Sequence, residues 1–329
     1  MFDKSLITTN KNLLAFSAGV DSSALFFILL DMDIDFDIAI VDYNLRVQSK
    51  DEVQYAKDLA KKYNKKIYLK SYEEEKFSEK LARDFRYNFF DELVSLYCYE
   101  SLITAHQLND KLEWFLMQLT KGAGIVELIG LNEKDIRQNY ITYKPLLNIS
   151  KDELLEYLKN NNKKYFIDET NKQNIYKRNY FRNEFSDKLI SKYKDGIKNS
   201  FSYINNDIKS LNQIDKIIKL DDLSVAIFKN IDFNLMIRYI DKKMKKNGLL
   251  ITKSTKDEII RQKFITISNK YSISIIDKYV FIAPFCQNKM DKKFKDECRL
   301  NNIPNNIRPY LGLKNRSEIN SFLSKLKKS

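Results

Sequence analysis

Leu13-Leu-Ala-Phe-Ser-Ala-Gly-Val-Asp-Ser22, followed at once by Ser-Ala-Leu-Phe-Phe-Ile-Leu-Leu30, decides the fold class. Leu13–Phe16 reads as a short buried strand and Ser22–Leu30 as the helix behind it. The turn between them contains glycine, so its backbone can approach an anion closely. The helix N-terminus offers unpaired N–H groups and the positive end of a dipole. Ser17 and Ser22 add hydroxyl donors, which makes Ser17, Ala18, Gly19, Val20, Asp21 and Ser22 a candidate phosphate cradle. Asp21 would repel a phosphate directly; Mg²⁺ held between the two gives the carboxylate a role. Neither GxxxxGK[ST] nor GxGxxG is present. The plainer reading is a tight turn with a serine cap.

The same grammar repeats downstream. Phe36–Val41, Lys66–Lys70 and Leu102–Ala105 read as strands, and residues 77–97 and 109–119 as helices. Ser49–Glu52 and Ser150–Glu153 are capping boxes that open further helices. Strands alternating with helices predict a doubly wound, mostly parallel α/β sheet over residues 1–185. Beyond it, residues 186–247 read as helical throughout, with 186–215 as a linker, and Thr255 with Glu258 caps another helix. Alternating apolar runs at 264–268, 272–276 and 279–282 predict a small antiparallel sheet, so 216–329 is expected to be a smaller α+β domain.

Composition narrows the setting. With 329 residues and 43% hydrophobic content the chain can bury two cores. The longest apolar run, Ala24–Leu30, is seven residues, far below the roughly 18 of a membrane span. The first six residues carry no signal-like apolar core, and Cys98, Cys286 and Cys298 have no paired spacing. A soluble cytoplasmic protein is expected, without a membrane partner; a homodimer is compatible with the sequence. The net charge of +13 admits a polyanionic partner, although a Lys/Asn-rich background produces the same surplus. Residues 284–329 hold eleven Lys/Arg against four Asp/Glu, more than half of that surplus.

Outward from the first turn, His106 is the only histidine. It follows a predicted strand on the side where open α/β sheets bind ligands. Asp110 and Glu113, three apart on one helix face, suit a metal contact or a nucleophilic amine; the plainer role is to complement the helix dipole. Arg83 and Arg86 suit bidentate phosphate binding or surface ion pairs. Arg178 and Arg182, four apart, can line a helix face toward an RNA backbone.

Ser17–Ser22 resembles the SGGxDS motif of the PP-loop ATP pyrophosphatases, with Ala18 in the place of a glycine, tolerable there if its φ is negative. Further blocks resemble one branch of that family, the tRNA(Ile)-lysidine synthetases. Val41-Asp-Tyr-Asn-Leu-Arg46 is similar to VDHGLR, and Ala82-Arg-Asp-Phe-Arg-Tyr87 to ARxxRY. Thr104–Glu113 is similar to TAHHxDDxxET, with Asn109 where the first aspartate of the pair stands. Lys121–Gly124 resembles RGSG, Lys144–Leu147 the RPLL strand, and Asp168–Asn171 with Tyr176–Arg182 resembles DxSN…YxRNxxR.

The resemblance implies an enzyme that uses ATP and Mg²⁺ to join L-lysine to C2 of the wobble cytidine in the CAU anticodon of tRNA(Ile). By that resemblance Asp21, His106, Asp110 and Glu113 are the catalytic candidates, and Asp21 with Asp110 the metal ligands. Ser17–Ser22 would hold ATP, and Arg83, Arg86, Lys121, Gly122, Arg178 and Arg182 would meet substrate or tRNA; the second domain would bind tRNA. The rivals are another PP-loop adenylating ligase and a non-catalytic tRNA-binding protein of the same fold. Sulfur transfer is disfavoured because no cysteine falls in a matched block.

Overall fold

Strand β1 (Asn12–Phe16) is apolar on both faces and nearly inaccessible, as the central strand of a covered parallel sheet must be. It pairs in parallel with β2 (Asp37–Asp42) on one side and β4 (Ser101–Ile103) on the other. With β3 (Ile67–Ser71), β5 (Lys134–Ile136) and β6 (Ile141–Tyr143) the sheet runs β3-β2-β1-β4-β6-β5. Every described pair is parallel except β5 with β6. The computed structural model describes residues 2–44, 48–73, 78–137, 139–167, 177–210 and 214–327.

Helices cover both faces, as the sequence pattern required. On one, α1 (Val20–Asp31) presents apolar side chains all round and is buried with α6 (Lys151–Asn160). Phe26, fully buried, meets Phe27 and Phe36 edge-on at 5.2 Å each; burial of such a ring contributes about 2–3 kcal/mol. On the other face α3 (Glu79–Tyr97) packs Phe89, Phe90, Leu93 and Val94 against Leu13, Ala39 and Leu102. Completing this unit are α2 (Gln48–Lys62), α4 (Leu108–Leu119), α5 (Ile125–Ile129), α7 (Lys177–Phe181), a π-helical turn over Arg182–Ser186, and α8 (Asp187–Ser210).

Three local expectations change. The Ser150–Glu153 capping box forms in full, whereas Ser49 lies inside α2, whose described part already begins at Gln48. Lys144–Leu147 is a buried turn after β6 rather than a strand, since Pro145 has no N–H for a ladder. Ala18 has φ +58, in the left-handed region, where a methyl costs about 1–2 kcal/mol, so the negative φ that would make alanine tolerable is not adopted.

The chain divides into two compact units, Met1–Asn206 and Asp207–Ser329, and the division falls within α8, where a linker was expected. The second unit holds the antiparallel sheet β7-β8-β11-β10-β9. Its strands are β7 (Ile214–Leu220), β8 (Leu223–Phe228), β9 (Phe264–Ile267), β10 (Tyr271–Ile276) and β11 (Tyr279–Pro284). The last three match the alternations read from sequence. β7 and β8 correct the helical reading of 186–247: they form a hairpin through Asp221-Asp222, with Asp221 at φ +48, and Leu223–Phe228 is buried on both faces. Such a short apolar run has no period that separates strand from helix.

Helices α9 (Phe233–Lys246) and α10 (Lys253–Gln262) cover one side of this sheet. The cap of α10 is Thr252, three residues before the expected Thr255. On the other side α11 (Lys292–Leu300), α12 (Arg308–Leu311) and α13 (Arg316–Lys327) contribute Cys298, Ile307, Leu311 and Phe322 to a second core. As far as Lys327 the basic C-terminal stretch is therefore folded structure. Among the described residues no helix is long and apolar enough to cross a membrane.

Candidate active site

The winding of the first sheet reverses between β1 and β4, and that is where open α/β sheets leave a crevice at their carboxyl edge. The chain leaves β1 into Ser17–Ser22 and leaves β4 into Thr104–Asp110, so two stretches some ninety residues apart become neighbours.

Gly19 is the N-cap of α1 and makes no side-chain capping bond, so the first N–H groups of the helix remain available to an anion. The turn is held from behind. Ser22 Oγ accepts from the Ser17 amide at 3.2 Å and lies 3.1 Å from Ser17 Oγ, while Phe166 N donates to Ala18 O at 2.9 Å. Asp21 sits on the first turn of α1. Its Oδ1 is shielded from solvent and has no hydrogen-bond partner. Burial first, then the charge of Asp110, pushes its carboxyl up to about 7.

Opposite stands a four-charge cluster. Asp110 and Glu113 project from the first turns of α4, both buried. Arg178, from α7, donates through Nε to Glu113 at 2.8 Å and through Nη2 to Asp110 at 2.7 Å. Arg182, which opens the π-helical turn, donates through Nε to Glu113 Oε1 at 2.6 Å and through Nη2 to Glu113 Oε2 at 3.2 Å. Lysines could not reproduce these forks. The other Asp110 oxygen, Oδ2, accepts from the Gln107 amide in a capping box. For Asp110, burial works upward, but Arg178, His106 and Arg182 outweigh it and hold the carboxyl below its usual range. For Glu113, burial and the neighbouring Asp110 charge prevail and push it up.

One expectation changes here. Arg178 and Arg182 turn inward onto acids instead of lining a face toward RNA. Both Asp110 oxygens are engaged, so any cation there, metal or ammonium, has to displace Arg178 or the Gln107 amide. Asp21 fits Mg²⁺ better: a shielded, unpartnered carboxylate oxygen beside an anion cradle suits an ion that keeps its other contacts to phosphate and water. Among the described residues no three His, Cys, Asp or Glu side chains cluster to hold a metal by themselves.

His106 Nδ1 lies 3.0 Å from Thr104 Oγ1, and burial pulls the ring down to about 4, against the opposing pull of Asp110. It is thus a neutral imidazole at physiological pH. Arg86 is half-buried and hydrogen-bonds Tyr43, whose own hydroxyl donates to Ala82 O at 3.2 Å; Arg83 is exposed over the Tyr87 ring. Lys121 and Gly122 follow the C-terminus of α4, about 16 Å along its axis from Asp110, and do not join the cluster. Asp168–Tyr176, together with Leu45 and Arg46, lie outside the described residues.

Asn109 and Asp187 carry a role that sequence reading missed. Asn109 Nδ2 donates to Asp187 Oδ1 at 2.6 Å, Asn109 Oδ1 accepts from the Lys151 amide at 3.2 Å, and Ser186 Oγ donates to Asn109 O at 2.9 Å. One residue thus ties together the starts of α4, α6 and α8. The Gln107-x-x-Asp110 spacing was a capping-box signal; nothing local marked Asp187.

The chain has clear relatives among known proteins. Residues 2–189 match the PP-loop domain, more than half of the chain. A tRNA(Ile)-lysidine synthase of Campylobacter jejuni strain RM1221 is 41% identical over 93% of this chain and 94% of its own length. The protein of the same name from Helicobacter hepaticus is 38% identical over 92% and 81%. The Helicobacter pylori 26695 protein is 37% identical over 97% and 95%. The chain belongs to the tRNA(Ile)-lysidine synthase family. Among solved structures the U34-tRNA thiolase NcsA of Methanococcus maripaludis superposes with a TM-score of 0.51 at 16% identity, over 64% of this chain and 77% of that one. That likeness speaks to the fold.

Proposed function

We propose that this enzyme joins L-lysine to C2 of the wobble cytidine in the CAU anticodon of tRNA(Ile), consuming ATP and releasing AMP and pyrophosphate. The C2 carbonyl oxygen attacks the α-phosphorus and pyrophosphate leaves. The ε-amine of lysine then attacks C2, its proton passes to the Asp110–Glu113 pair, and AMP departs. Ser17–Ser22 binds the phosphates through the open N-terminus of α1. Asp21 would hold Mg²⁺, which would supply charge neutralisation at the triphosphate.

His106, neutral, offers a hydrogen bond near the reacting base without adding charge. Asp110 and Glu113 receive the lysine ammonium. Since their oxygens are engaged, the incoming cation exchanges for an arginine contact, and Arg178 is the more exposed of the two. Both units take part in tRNA binding, and the basic surface of the second contributes phosphate contacts.

The observation that carries this reading is the shielded, unpartnered Asp21 oxygen at an uncapped helix N-terminus, set at the switch point of the sheet. Purified protein with [α-³²P]ATP, tRNA and lysine tests it. AMP formation that requires both tRNA and lysine is expected. AMP without tRNA would instead mark a small-molecule ligase, and no AMP a binding protein.

A further inference from the structure

Tyr87 on α3 is surrounded by three guanidinium groups. Arg83 Cζ lies 4.7 Å from its ring centroid, Arg137 5.8 Å and Arg86 5.9 Å. Two of them come from the same helix, but Arg137 follows β5, fifty residues further on, so tertiary structure assembles the group. The ring is fixed from behind by Phe90, edge-on at 6.0 Å and buried. Arg137 is held too: its amide donates to Tyr140 O at 2.8 Å, and the Tyr140 hydroxyl is bonded to Asp91 of α3.

Among the described residues none of the three arginines has a carboxylate within ion-pair distance. Of the described acids of the same two elements, Asp91 is bonded to Tyr140, Glu92 to Lys70 and Asp135 to Lys144, and Asp84 forms no ion pair with them. Three like charges held around one aromatic ring repel each other, and the arrangement is complementary to an anion with a stackable or backbone face. Arg83 and Arg137 are exposed, whereas Arg86 faces Tyr43 and influences His106. The group therefore runs from solvent to the edge of the active site.

We propose that Arg83, Tyr87 and Arg137 form a binding surface for the sugar–phosphate backbone of the tRNA substrate beside the modified nucleotide. Arg137 is its outer member. The inference rests on the tRNA-modifying reading above. Backbone contacts of this kind fix register and orientation and leave base choice to other groups.

Binding of a tRNA(Ile) transcript with a CAU anticodon, measured by anisotropy over a salt series, tests the proposal. Arg137→Gln is expected to weaken affinity about fivefold and to lower the slope of log K against log salt by about one. Arg83→Gln with Arg137→Gln should lower it by about two. The KM for tRNA should rise in step, while those for ATP and lysine stay put. Unchanged affinity and slope, with or without a lower Tm, would make the group mere packing and overturn the proposal. A wild-type chain that neither binds the transcript nor makes AMP would overturn the functional reading as well; normal wild-type activity with an indifferent double variant sinks this proposal alone.

Discussion

Asn109 donates its side-chain amide to Asp187 across 2.6 Å, and this bond joins the start of α4 to the start of α8. The helix that carries Asp110 and Glu113 is thereby fixed to the segment that delivers Arg178 and Arg182. An amide is needed at 109 because a carboxylate would place two acceptors face to face in a half-buried site.

Asn109→Asp should therefore lower stability by roughly 2 kcal/mol or more, seen as a fall in Tm. Asp187→Asn in the same chain restores a donor opposite an acceptor and should recover most of the loss. A double variant no more stable than Asn109→Asp would refute the role given to the bond.

Asp21 should confer a pH dependence on nucleotide binding. Its carboxyl is held near 7 in the folded chain by burial and by Asp110, against 3.8 ordinarily. Between those values the folded state binds more protons, so its contribution to stability is full below about pH 4 and fades as pH rises through 7. Magnesium–ATP selects the ionised form. Calorimetry in two buffers of different ionisation heat should show proton release at about pH 6 and little at about pH 8. Asp21→Ala should erase this difference and abolish AMP release while tRNA still binds.

Gly130 has φ +48, and a methyl group there would overlap the Trp114 indole nitrogen, which donates to Glu127 O at 3.0 Å. Gly130→Ala should cost about 2–4 kcal/mol through left-handed strain and overpacking. Trp114 is the only tryptophan, so a shift in its emission reports the local change directly.

The basic C-terminal surface is testable by charge but not by truncation. Removing 284–329 would take Cys298, Ile307, Leu311 and Phe322 from a core, and Phe322→Ala alone should cost about 3–5 kcal/mol. Lys292, Lys293 and Lys295 are exposed on α11. Replacing all three with Gln should keep the fold and flatten the salt dependence of tRNA binding, read by anisotropy. A preserved slope would leave the charge without a role in RNA binding.

Much of this was legible along the chain because it is local. Leu13–Ser22 shows a strand, a glycine turn and a helix start in ten residues, and Ser150–Glu153 names its own cap. The three alternating runs at 264–282 declare their strands through a period of two. β7 and β8 lacked such a period, and Thr252 was overlooked for a neighbour that looked equally suited.

Sequence alone thus settled the doubly wound fold, the glycine turn after its first strand and the set of charged residues near it, since spacing within an element sets which side chains share a face. Only tertiary structure decided how those charges are spent. Arg178 and Arg182 meet Asp110 and Glu113 across more than sixty residues, Asp187 finds Asn109, and Arg137 reaches Tyr87. Pairings over such separations depend on chain packing that no local pattern encodes, and burial then sets which carboxylate stays unpartnered: Asp21.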